Sequence, residues 1–364
     1  MGGFPIERIR AITFPPPPSI ADVAGRADVG LVRMNFNESA RAPSPKAMEA
    51  ASLALLDANR YPDHESRVLA AAIHDKTGVP VDRMSFGNGS GEVLVAAAMV
   101  SIEPGDEAVM PAPTFPTCGK GVQIAGGRIV NVPLKPDGSN DIPAMLAAVT
   151  ERTRLFYLCT PNNPTGGVIA ADDLRTAFNK VPDTCMLVVD EAYFEFASVE
   201  GGPDVLSLLK ERAGPWIVTR SFSKAYCMAG LRVGYALASD NDIAYGLWQL
   251  RPNFNLGRPA LAAAAAAMRD EAYLQETLRL TIAGRQRLSE ALASLGFEAF
   301  PSFANFLTVR APLPASKLGR ELEKKKILVQ PLPWPDERGS LRITVDSRES
   351  TNRLVEALAD LIEP

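Results

Sequence analysis

The stretch "TRSFSKAYCMAGLRVGY", Thr219 to Tyr235, sets one lysine, Lys224, behind Ser221 and Ser223 and brings Arg232 eight residues later. A lysine amine can form a Schiff base with an aldehyde, and hydroxyls beside a guanidinium can hold a phosphate dianion. Other polar groups follow short apolar runs: Asn162 and Asn163 come after "LFYLCT", and Asp190 and Tyr193 come after "MLVV". "GNGSGEVLVAAAM" turns through glycines into a helix, leaving the amides of Ser90 and Gly91 free for an anion. An asparagine, a carboxylate and a lysine make no metal set, and Lys224 lies too far along the chain for a Walker loop. They suit pyridoxal 5'-phosphate, which needs an amine, an anion opposite its ring nitrogen and hydrogen bonds to its ring oxygen. Lys224, Asp190 and the pair Asn163 and Tyr193 supply these in turn. Ser90, Gly91, Ser221, Ser223 and Arg232 would form the phosphate cage. Each motif alone reads as a loop, turn or cap; it is their joint order that carries the assignment.

These residues need a scaffold that brings strand ends to one rim. Short apolar runs ("MSFGNG", "EAVMPAP", "GGRIVNVPL", "RLFYLCTP", "CMLVVDEAY", "PWIVTRS", "RVGYALAS") alternate with helical segments. About seven strands in this rhythm predict an α/β fold whose mostly parallel sheet is covered on both faces, with ligands beyond the carboxyl ends of the strands. Long helical stretches follow after about residue 240, then the strand-like pieces "FLTVR", "ILVQPL" and "LRITV", which predict a smaller α+β domain. The expected organisation is an N-terminal arm over 1–30 with Pro15 to Pro18 in a row, a large domain over 31–245 and a small C-terminal domain over 246–364.

Composition narrows the function classes. The 364 residues are 46% hydrophobic and 22% charged, which is a globular profile. A net charge of -4 speaks against nucleic acid or an anionic membrane as partner. Cys118, Cys159, Cys185 and Cys227 form no C-x-x-C pair, and His64 and His74 alone give a zinc site or a Ser-His-Asp triad little to build with. The amino-terminal stretch lacks a signal-peptide pattern, and no apolar run reaches ~18 residues, so a soluble cytoplasmic protein is expected.

"SFSKAYCMAGLRVGY", "CTPNNPTGG", "VVDEAYFEF", "APTFPT" and "RYPD" together resemble fold-type-I aminotransferases of the histidinol-phosphate aminotransferase branch, from about Ile20 to the C-terminus. The resemblance implies that Lys224 is the Schiff-base lysine and proton shuttle, and that Asp190 keeps the pyridine nitrogen protonated. It implies that Phe115 stacks on the ring, and that Tyr61 reaches the cofactor phosphate of a neighbouring subunit in a homodimer with shared sites.

Departures fall where the substrate would sit. Histidinol-phosphate enzymes hold their substrate phosphate with two arginines; this chain keeps one as Arg342 and has Gln330 at the other. A neutral amide is a poor substitute for a fixed cation against a dianion, which predicts an altered substrate. "NESARAPSP" keeps Asn37 but places Arg41 at the turn, and "TFPPPPS" offers Phe14 where a tyrosine-containing segment is usual. Arg342 is expected to hold an α-carboxylate, with Asn37 nearby and Arg41 or Phe14 meeting the side chain; Arg41 can equally be a solvated loop residue. Cys227 stands where glycine is common. Two other readings stay open: a decarboxylase of the threonine-phosphate type, and a catalytically silent sensor on the same fold.

Overall fold

A computed structural model describes residues 5–12 and 30–362. Phe14 and the Pro15 to Pro18 run lie outside the described residues. Past the short helix Glu7–Arg10, β1 (Val32–Arg33) is followed by β2 (Met84–Asn88), β3 (Glu107–Ala112), β4 (Arg128–Pro133), β5 (Thr153–Cys159), β6 (Met186–Asp190), β7 (Trp216–Ser221) and β8 (Val233–Ala238). β2 to β8 form one sheet in the order β2-β8-β7-β6-β5-β3-β4. All seven expected strands are present.

The central strands are apolar on both faces because helices cover both sides. Leu155, Phe156 and Leu158 of β5 and Leu187, Val188 and Val189 of β6 are wholly buried. β7, β6, β5, β3 and β4 run parallel, so Cys159, Asp190 and Ser221 finish at the same rim. β8 runs antiparallel to both neighbours. It returns from β7 through a loop instead of a helical crossover, and that loop carries Lys224 and Arg232.

Two glycines let the pieces close. Gly89, at φ +77, precedes the helix Ser90–Met99, and a Cβ there would strike the Arg232 guanidinium. Gly234, opposite Ser221 on β8, passes so near the Ser90 backbone that no side chain fits. Helix start, strand end and arginine therefore converge.

The second unit has β9 (Glu298–Ala299), β10 (Phe306–Arg310), β11 (Ile327–Leu328), β12 (Gln330–Leu332) and β13 (Ser340–Thr344). An antiparallel sheet in the order β12-β13-β10-β9 packs against the helices Ala315–Lys324 and Arg348–Ile362. β1 pairs with β11 in parallel, and Val32 and Met34 lie in this smaller core. The expected division after residue 245 falls inside the helix Asn241–Leu250. Packing changes allegiance later, within the helix Glu271–Ala293: Leu274 and Leu278 belong to the large core, and Leu288 and Leu292 to the small one.

Candidate active site

Asp190 ends β6 at 1% exposure. It accepts hydrogen bonds from the Thr219 hydroxyl at 3.0 Å, the Tyr157 hydroxyl at 3.1 Å and the Ala192 amide at 3.2 Å. Burial pushes its carboxyl up to about 6 while those donors pull it back down. Its partners among the described residues are two hydroxyls and an amide, with no cation, although a buried carboxylate gains most from one.

Lys224 donates to the carbonyls of Asn37 at 2.8 Å and Phe36 at 3.1 Å. Burial, with smaller contributions from the charges of Arg342 and Arg232 against that of Glu38, lowers its ammonium to about 8. Its Nζ lies 5.8 Å from the Tyr193 ring centroid. The Tyr193 hydroxyl accepts from Asn37 Nδ2 at 2.9 Å and, more loosely, from Asn163 Nδ2 at 3.4 Å. Asn163 Oδ1 accepts in turn from Arg342 Nη1 at 2.7 Å. The Asn37 amide donates to the Thr344 hydroxyl at 2.9 Å. One network thus joins the strand-end asparagine, the lysine and the small-domain arginine.

At the other end, Arg232 Nη1 reaches Ser223 Oγ at 3.4 Å and the Ala229 carbonyl at 2.8 Å, and Nη2 points to the Asn88 carbonyl at 3.4 Å. Ser221 Oγ accepts from the Ser223 amide. Ser90 and Gly91 open the helix that starts beside this guanidinium. Phe115 packs on the cluster that contains Cys118 and Tyr157, and its turn is tied to the asparagine loop by Thr114, whose hydroxyl donates to Asn162 Oδ1 at 2.8 Å.

Two expected site residues, Tyr61 and Arg41, stand apart, as does Cys227. Tyr61 is 78% exposed and stacks on Phe254 at 4.6 Å, away from the network. Arg41 donates to the Thr277 hydroxyl at 2.7 Å and lies 4.1 Å over the Tyr273 ring. Cys227 is buried at φ +60 with its thiol 3.1 Å from Ser39 Oγ, and burial raises that thiol. The positive φ supplies the physical reason a glycine suits this place.

Residues 29–358 match the family model described as aminotransferase class I and II. The chain belongs to that family. A histidinol-phosphate aminotransferase of Carboxydothermus hydrogenoformans is 39% identical over 332 residues, 91% of each chain. One from Caulobacter vibrioides is 36% identical, covering 93% of this chain and 89% of the relative. Among solved structures, histidinol-phosphate aminotransferase from Sinorhizobium meliloti, in complex with pyridoxal-5'-phosphate, superposes with a TM-score of 0.88 at 30% identity, covering 98% and 96% of the two chains. This aminotransferase is pyridoxal-phosphate dependent. Among its described residues, no helix is long and apolar enough to cross a membrane.

The residues fit the cofactor. A protonated ring nitrogen would give Asp190 a counter-charge, and the helix start at Ser90 beside the Arg232 guanidinium, which reaches the Ser223 hydroxyl, is a donor set that suits a phosphate. Arg342 Nε, Asn35 Oδ1 and Asn305 Oδ1 are buried without partners among the described residues, which leaves hydrogen-bonding capacity for a polar ligand on the small-domain side. Sequence reading missed Thr219, Tyr157, Asn305 and Thr344. Tyr157 sits within an unbroken apolar run and reads as core, whereas Thr219 could be found from its place one strand over from Asp190.

Proposed function

We propose that Lys224, Asp190 and their neighbours hold the cofactor and carry an amino group from an amino acid to a 2-oxo acid, with a donor other than histidinol phosphate. When bound, pyridoxal phosphate supplies an electron sink for negative charge at the substrate α-carbon. Asp190 would keep the ring nitrogen protonated, and Tyr193 and Asn163 would hydrogen-bond the ring oxygen. Phe115 would lie against the ring. Ser90, Gly91, Ser221, Ser223 and Arg232 bind the phosphate. Lys224 would bind the cofactor's aldehyde carbon, and its neutral amine would serve as the base for the substrate α-proton. Its depressed ammonium leaves enough neutral amine near pH 8 for that task.

Arg342 is assigned to the substrate α-carboxylate, supported by its unpartnered Nε and by its bond to Asn163. Asn37 orients Tyr193, and either Arg41 or Phe14 is assigned to the substrate side chain. The observation that carries the altered substrate is Gln330: it lies opposite Arg342 across β12 and β13, and its amide donates to the Pro331 carbonyl at 3.1 Å. Among the described residues, the position opposite Arg342 on β12 holds a neutral amide in place of a second cation for a phosphate dianion.

The names of the relatives favour a second reading, with histidinol phosphate as donor. Mixing holoenzyme with single amino acids and with histidinol phosphate, while following the visible band of lysine-bound cofactor, separates the two. Fast bleaching by histidinol phosphate would overturn the altered-substrate reading. We also assign the working unit as a homodimer of two-domain subunits, supported by the exposed Leu53, Leu55, Leu56 and Tyr61.

A further inference from the structure

A cavity of about 260 Å³ opens behind the cofactor strands, between β7 and the helices Arg67–Thr77 and Glu271–Ala293. Strand alternation separates it from the cofactor face. Asp190 and Thr219 are paired neighbours that share a hydrogen bond, so the next residues, Glu191 and Arg220, project to the other side. There Arg220 donates through Nε at 2.9 Å and Nη2 at 2.8 Å to one Glu191 oxygen, and its guanidinium lies 3.5 Å over the Phe194 ring. Arg220 is therefore already neutralised.

Glu195 is not. It lines the cavity at 6% exposure, and its Oε2 is buried with no hydrogen-bond partner among the described residues. Burial pushes its carboxyl up to about 7, with the Arg220 charge opposing and the Glu191 charge adding to the rise. At the rim Lys76 is bonded to Glu271 at 2.7 Å, and Asp204 is bonded to Ser207. Counted by sign, Lys76, Lys210 and Arg220 against Glu271, Asp204 and Glu191 leave the Glu195 carboxylate as the unmatched charge. Tyr226, Tyr235 and Leu278 supply aromatic and apolar wall. A buried acceptor without a donor, beside aromatic rings, is complementary to an alkylated cation.

We propose that this cavity is a second binding site, separate from the cofactor cluster, for a small organic ammonium ion, with the Glu195 carboxylate as its counter-ion. Its volume equals about nine waters at roughly 30 Å³ each, room for a short amine but not for a nucleotide.

Calorimetric titration of holoenzyme with trimethylammonium chloride at about pH 8.5 tests this, because a tertiary amine cannot condense with the cofactor aldehyde. One saturable site per chain is expected, with tert-butanol, a neutral probe of similar size, giving none. Glu195→Gln, checked for folding by its visible cofactor band and thermal midpoint, weakens the site by about tenfold or more. Wild-type enzyme supplies an independent arm: affinity falls by about tenfold per pH unit below about 7, as Glu195 takes up a proton. Absence of saturable heat, equal heat from tert-butanol, or affinity indifferent to pH would show a cavity that holds water and would overturn the assignment.

Discussion

Gln330 and Arg342 stand opposite one another across the antiparallel ladder of β12 and β13, so their side chains share one face of the small sheet. Arg342 faces a neutral amide at that position, and it is bonded to Asn163 at the edge of the large domain. Arg342→Ala should lower kcat/KM for amino-acid donors by about ten- to hundredfold, from the loss of about 1.5–3 kcal/mol in charge-assisted bonding. Gln330→Arg should raise relative turnover of donors that carry a phosphate. Steady-state kinetics with paired phosphorylated and unphosphorylated donors checks both.

Lys224 must lose a proton before its amine can attack the cofactor aldehyde. Its ammonium is lowered to about 8, chiefly by burial, so the rate of covalent cofactor capture by apoenzyme should climb from pH 6 and level off just above about 8. An ordinary exposed lysine would keep gaining rate toward pH 10.4 or so. Borohydride trapping at timed intervals across this range measures it. Arg342→Met removes a nearby cation and should move the plateau to higher pH.

Much of this was readable in advance for a physical reason. β5 and β6 are buried on both faces, so their sequences are unbroken apolar runs, and a polar residue at the end of each run had to be at the rim. That logic located Asn163, Asp190 and Lys224. It does not reach Tyr157, whose phenol points at Asp190 from inside an apolar strand, nor Asn305 and Thr344, which meet Asn37 only because the small domain folds back over 260 residues of chain. β1 was also hidden: two residues, Val32 and Arg33, form a strand only because β11 supplies the partner edge. Glu195 reads as one polar residue in an aromatic run, and only the packed structure leaves its Oε2 without a partner among the described residues.

The Thr219 hydroxyl donates to Asp190 and offsets part of the burial that raises its carboxyl to about 6. Thr219→Val keeps the shape and removes the donor, so Asp190 should ionise at higher pH. In apoenzyme the sign is that of a raised acid: its contribution to stability is complete below the unfolded carboxylate value and is lost as pH rises through about 6. Cofactor binding runs the other way, because it needs the carboxylate. Equilibrium dialysis should show Thr219→Val binding cofactor more weakly than wild type near pH 6 and similarly near pH 8.5.

Cys227 occupies left-handed backbone at φ +60, where a Cβ crowds the neighbouring carbonyl. Its thiol is bonded to Ser39, so a direct glycine replacement changes two things at once. Comparing Cys227→Gly with Cys227→Ala isolates the backbone. Both lack the thiol, and glycine should be the more stable by about 1 kcal/mol in urea unfolding. Equal stabilities would mean that the loop relaxes out of this conformation.

The end of the helix Pro45–Leu55 exposes Leu53 and Leu55, Leu56 follows at 80% exposure, and the Tyr61 and Phe254 stack adds aromatic surface. An apolar group of this kind is costly in water and matches a self-complementary two-fold contact. Leu56→Glu places two like charges near the axis of such a dimer and should halve the mass seen by light scattering while leaving the far-ultraviolet dichroism intact. Tyr61→Phe keeps the apolar contact and should leave the mass unchanged. If Tyr61 of the partner subunit touches the cofactor phosphate, the phenylalanine variant should release cofactor faster on dilution than wild type, and the monomeric variant faster still. Full cofactor retention by a monomeric Leu56→Glu protein would instead mean that each chain completes its own phosphate cage from Ser90, Ser221, Ser223 and Arg232.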